Sequence, residues 1–155
     1  NLISFIKIFS VVTFTSVFCF GQNSINEIRE NYLCAHKQKC LDRLIVISNF
    51  NLDNPLIYCY NTSAQIMMIS NEISPYKKLI KFNKLTNRLD SIVNHNYSHI
   101  EIRMIRYAIQ KKSPFFLGYD NNINEDLVYI NENIDFLPHN IRIYVSKILK
   151  ILNNG

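Results

Sequence analysis

Turn-forming residues are scarce: the 155-residue chain has only 3 glycines and 4 prolines, and no tryptophan at all. That scarcity argues against turn-rich sandwiches and propellers, and it leaves no glycine loop to cradle a phosphate. Charged residues make up only 19% and apolar residues 48%, which excludes a disordered tail or a charged low-complexity chain. No Gly-x-Ser-x-Gly elbow occurs, so no nucleophilic serine announces itself. What remains is a moderately basic chain, with 17 Lys and Arg against 12 Asp and Glu for a net charge of +5. Its length suits one domain, or one domain plus a processed segment.

The first residues read as a targeting segment. Lys7 precedes 13 uncharged residues, Ile8 to Phe20, before the polar stretch that opens at Gly21-Gln22. A secretory apolar region runs to roughly 7–15 residues, whereas a membrane-spanning helix needs about 20. Cys19 and Gly21 supply the small side chains that signal peptidase requires, and Phe18 disfavours lipidation at Cys19. The expectation is a signal peptide over residues 1–21 and a single helical domain over 22–155. The mature protein is then periplasmic or secreted and keeps no membrane span. Export also places Cys34, Cys40 and Cys59 in a compartment where disulfides form. On one continuous helix Cys34 and Cys40 sit about 240° apart and cannot bridge. That leaves three small buried thiols, or a Cys40–Cys59 bridge between neighbouring helices.

Explicit start signals mark out helices through the rest of the chain. Ser24-Ile25-Asn26-Glu27 is a capping-box pattern opening a helix to about Ser48. Asn54-Pro55 and Ser74-Pro75 each pair a capping side chain with proline at the first helical position. Ser98-His99-Ile100-Glu101 reads as a second capping box, for a helix that Ser113-Pro114 stops. Asn122 and Pro138 open two more, and no stretch alternates with period two. About six antiparallel helices follow, an all-α fold that is either tetratricopeptide-like or an irregular bundle.

The densest polar cluster lies on the fourth of these helices. Arg103, Arg106 and Gln110 fall within about 60° of one another, while Glu101 falls on the apolar side with Ile102, Ile105 and Ile109. Paired guanidiniums grip carboxylate or phosphate well, so Arg103 and Arg106 are a candidate anion site, with Gln110 and Tyr119 beside it. The competing structural reading is a solvated face carrying ion pairs. Glu101 needs either the capping box or an arginine from elsewhere. The apolar segment Phe115 to Tyr119 serves as a lid over a groove or, more simply, plugs the open end of the core. No metal or cofactor is expected: His95 and His99 are separated by a helix break, and Cys34, His36 and Cys40 point to different sides. Residues 77–112 hold nine Lys and Arg against two carboxylates, and residues 113–135 hold five carboxylates and no base. The acidic stretch is therefore expected to fold back on the basic one, and nucleic acid is not an expected partner.

Glu101-Ile102-Arg103-x-x-Arg106, Gln110, Pro114, Phe116-Leu117-Gly118-Tyr119 and Glu125-Asp126 together resemble a family of small exported helical bacterial proteins. Asn54-Pro55-Leu56-Ile57 and Pro75-Tyr76-Lys77-Lys78-Leu79 fit the same pattern, and the likeness covers about residues 27–150. The chain departs from the pattern at Asn61-Thr62-Ser63 and Leu85-Thr86. The resemblance implies a secreted or periplasmic helical protein and assigns no activity. Together these readings lead to an exported, non-catalytic binding module whose partner is an envelope protein. The alternative is a small enzyme or ligand carrier using Arg103, Arg106 and Tyr119.

Overall fold

Seven α-helices and no strand make up the described residues, 25–154, of the computed structural model. Helix α1 covers residues 25–33, α2 Gln38–Ser48, α3 Pro55–Met68, α4 Pro75–His95, α5 Ile100–Lys112, α6 Ile123–Asn133 and α7 His139–Asn153. Short 3₁₀ turns follow α3 (Ile69–Asn71), α5 (Phe115–Leu117) and α6 (Ile134–Phe136). The all-α class is as expected; the expected count of six is one too few. The signal-peptide reading of residues 1–21 lies outside the described residues.

The extra helix comes from a break at residues 34–37, where a single helix from Ser24 to Ser48 was expected. Cys34 and Cys40 form a disulfide across that break, with Cα atoms 5.7 Å apart. The expectation that they cannot bridge assumed an unbroken helix; once the chain turns at Ala35 to Lys37, the two side chains meet. A closed loop of this length constrains the unfolded chain by about 2 kcal/mol. Cys59 is free and buried, so neither the Cys40–Cys59 bridge nor three free thiols is present. Burial pushes the Cys59 thiol well above its ordinary range, so it carries no reactive thiolate.

The two proline-led starts form as the local chemistry dictates. Asn54 accepts hydrogen bonds from the backbone N–H groups of Leu56 and Ile57, and Ser74 accepts from that of Lys77. Helix α3 buries the small polar run Asn61-Thr62-Ser63 together with Ala64. Asn61 donates to the Ser48 hydroxyl at 3.0 Å, and Ser48 in turn donates to the Leu44 carbonyl, which ties α3 to α2.

Helix α5 is the axis of the molecule. Residues 100–110 are all buried, because α3, α4, α6 and α7 each pack against it. Its apolar side joins the core through Ile102, Met104, Ile105 and Ile109, with Leu89, Ile130, Val145 and Ile148 from its neighbours. Only Lys111 and Lys112, in its last turn, reach solvent, so every charge among residues 100–110 must find a partner inside the protein.

Candidate functional site

Two polar networks meet α5 from opposite sides. On one side Glu101 is only 2% exposed and receives the Arg29 guanidinium of α1 in a fork, Nε to Oε1 at 2.8 Å and Nη2 to Oε2 at 2.9 Å. The Tyr60 hydroxyl of α3 donates to Glu101 Oε1 at 2.5 Å. The Tyr144 hydroxyl of α7 lies 2.8 Å from that of Tyr60. Tyr60 has a single hydroxyl hydrogen, and its hydrogen bond to Glu101 uses it, so Tyr144 donates to Tyr60. Burial is the first cause that raises both phenol pKa values, and both stay protonated.

Glu101 is therefore not part of a capping box. The N-cap of α5 is His99, whose Nδ1 accepts from the Ile102 backbone N–H at 3.4 Å. Burial of the ring against the helix end is the main reason its pKa lies below 6.5; Arg29 lowers it further and Glu101 opposes. As pH falls, the unfolded chain takes up this proton before the folded one. The stability His99 contributes is complete above about pH 6.5 and is lost as pH drops below it. Protonation turns the acceptor into a donor and sets a positive charge at a helix N-terminus. His99→Asn, which keeps an acceptor there, is expected to flatten the urea-unfolding profile between about pH 7 and pH 5. A profile that tracks wild type through this range counts against the assignment.

The second network contains all the residues of the candidate anion site. Arg106 is 3% exposed and binds Asp126 of α6 in a fork, Nε to Oδ2 at 2.7 Å and Nη2 to Oδ1 at 2.8 Å. Its remaining nitrogen lies 3.7 Å from Asp90 of α4, and Tyr119 donates to that same carboxylate at 2.8 Å. Arg103 reaches Asp126 and Glu125 at 3.1 Å each and donates to the Tyr97 carbonyl, while its guanidinium lies 4.3 Å from the centre of the Tyr129 ring. Asn122 is the first cause holding the Glu125 carboxyl below its usual range, and Arg103 adds to it. Gln110 donates to Asn122 at 3.4 Å, and its own side-chain oxygen has no partner among the described residues.

Arg103, Arg106, Gln110 and Tyr119 thus converge, but around carboxylates of this chain. Asp126 is 0% exposed and fills the place an external anion would take between the two arginines. The hollow on this side, 430 Å³, touches Arg103, Glu125 and Tyr129 but not Arg106. The face read as solvated is an internal interface, and the acidic stretch does fold back onto the α5 arginines. Sequence reasoning missed Arg29, Tyr60, Tyr144, Asp90 and Asp126. The available signal was a carboxylate on an apolar helix face: Asp126 lies one turn before Ile130, and both are buried. Among the described residues no group of three or more His, Cys, Asp or Glu is placed to hold a metal ion.

At the other end of α5 the segment after Pro114 divides in two. Leu117 and Tyr119 pack on the core, the Tyr119 ring meeting Phe82 edge-on at 5.8 Å. Gly118, at φ +60°, makes the left-handed turn between them. Phe115 and Phe116 instead stand 90% and 83% exposed. The expected plug is therefore half a plug, with two aromatic rings left outside.

The fold and these networks define an all-α protein whose central helix has its buried charges neutralised from within. No protein-family model, no curated protein and no solved structure matches the chain.

Proposed function

We propose that the chain is an exported, non-catalytic binding module of the bacterial envelope, acting through its surface. The observation that supports this most is the saturation of α5. Glu101, Arg103 and Arg106 are each engaged by carboxylates, guanidiniums or phenols of the same chain, so none is poised to activate a substrate or hold an anion. The Cys34–Cys40 disulfide supports export, because such bonds persist in oxidising compartments. The helix pair α3–α4, joined by the short 69–74 connector, packs as a helical hairpin, a unit that helical-repeat proteins use to present binding surfaces. The small-enzyme or carrier alternative needs Asp126 displaced from two buried guanidiniums.

Mass spectrometry of the chain made in a bacterial host, with cell fractionation, tests this reading. The expected species is an envelope or secreted protein that starts at Gln22, is lighter by two hydrogens than the fully reduced chain, and has one titratable thiol after denaturation. A cytosolic chain with residues 1–21 intact and Cys34 and Cys40 reduced overturns it.

A further inference from the structure

A groove of about 680 Å³ opens where the end of α3, the start of α4 and the end of α5 come together. Leu79, Phe82, Ile109 and Leu117 form its apolar wall, and Phe116 stands at its lip. Lys78 and Lys112 are the only charged residues lining it among the described residues. One Lys78 donor is held by the Ser70 carbonyl at 3.1 Å, which leaves two free to point outward. Lys77 and Lys111, next to them in sequence, are exposed. Ile73 and Tyr76, on either side of the turn into α4, are exposed as well.

The placing of Phe115 and Phe116 decides what such a surface fits. Their 3₁₀ turn is pinned from below by Leu117 and Tyr119, and Tyr119 is anchored again by its bond to Asp90. The two phenyl rings project from a fixed support and do not fold over the groove. A soluble ligand that fills a groove calls for rings that close on it. A bilayer calls for the reverse arrangement: apolar rings that stand clear of the protein surface, with ammonium groups beside them at headgroup level. The absence of any carboxylate from the lining gives this end the charge complementary to anionic lipid.

We propose that this end of the bundle docks on an anionic bilayer surface. Phe115 and Phe116 enter the boundary between headgroups and acyl chains, while Lys78 and Lys112 bind the lipid phosphates. The contact is a peripheral wedge. It rests on the reading of the chain as an envelope binding module and names the partner of that module.

The natural chain has no tryptophan, so F116W places a single indole reporter at the lip. The full chain carrying F116W is mixed with vesicles of phosphatidylglycerol and phosphatidylcholine, and separately with phosphatidylcholine alone. The indole emission is expected to shift to the blue with the anionic vesicles only, and added salt is expected to reverse the shift. Each lysine near the surface contributes about fivefold to binding, so K78Q with K112Q is expected to weaken the anionic titration about 25-fold. Circular dichroism checks that each variant is folded, and F115W serves as the reporter if F116W is not. Unshifted emission while the folded protein sediments with anionic vesicles overturns the proposal, because another surface then makes the contact. An equal shift with neutral vesicles overturns it too, as does a shift produced by monomeric fatty acid but by no vesicle. Any of these negatives leaves the mass and fractionation result standing. A cytosolic, unprocessed chain would instead remove the reading on which the proposal rests.

Discussion

Asp126→Ala is expected to lower the unfolding free energy by about 3–5 kcal/mol, the range for removing one partner of a buried ion pair. Asp126 is fully buried and accepts from three guanidinium nitrogens. Its loss leaves Arg106 with Asp90 at 3.7 Å, and Arg103 with Glu125, which is largely in solvent. Glu125 keeps its bond to the Arg103 nitrogen it shares with Asp126, but Arg106 Nε and Nη2 lose their only acceptor. Asp126→Asn keeps the shape and one acceptor, so it is expected to cost less than Asp126→Ala. The double variant R106M/D126L removes both charges and fills similar volume, and such replacements are often neutral or stabilising. Urea unfolding measures all three. A double variant no more stable than Asp126→Ala alone would show that the charges do not form one coupled unit.

Glu101→Ala is expected to produce a comparable loss, again about 3–5 kcal/mol, on the other side of the same helix. Three partners depend on this carboxylate: Arg29 through two hydrogen bonds, Tyr60 directly and Tyr144 through Tyr60. Arg29 lies on α1, which a disulfide-closed turn separates from α2, so the ion pair anchors α1 to the bundle. The loss is therefore expected to include local release of α1, seen as faster amide exchange over residues 25–33 than over α3. Glu101→Gln keeps an acceptor for Tyr60 and gives up the charged fork, so it falls between wild type and Glu101→Ala. A loss below about 1 kcal/mol for Glu101→Ala would mean that the pair behaves as a surface salt bridge.

Local physics was legible in the sequence, and long-range pairing was not. Asn54-Pro55 and Ser74-Pro75 declare helix starts through bonds to residues two or three positions on, and both starts are present. The break at residues 34–37 carries no such mark. Ala35-His36-Lys37 contains neither glycine nor proline, and the Lys37 N-cap makes no side-chain bond. The covalent link between Cys34 and Cys40 accompanies that turn, and helical periodicity alone argued against it. Glu101 stood out as a carboxylate on an apolar face, but its partner Arg29 is 72 residues away. Asp126 looked like an ordinary acid in the first turn of α6. Only the packing of α6 across Arg103 and Arg106 turns it into their shared counterion. A polar stripe on a helix was read as a face toward water because an interior charge is rare. Here residues 100–110 of α5 are enclosed on every side, and the stripe faces other helices.

The central claim is that carboxylates of this same chain satisfy the α5 arginines, which bind nothing from outside. Thermal unfolding of wild type and R106M/D126L, in phosphate, sulfate and citrate against chloride at matched ionic strength, tests it most directly. Phosphate and sulfate strengthen apolar burial in any protein, so only a difference between the two proteins is diagnostic. The account predicts that each anion shifts both melting temperatures equally. An upshift confined to wild type, growing with anion concentration as ligand binding requires, would contradict it.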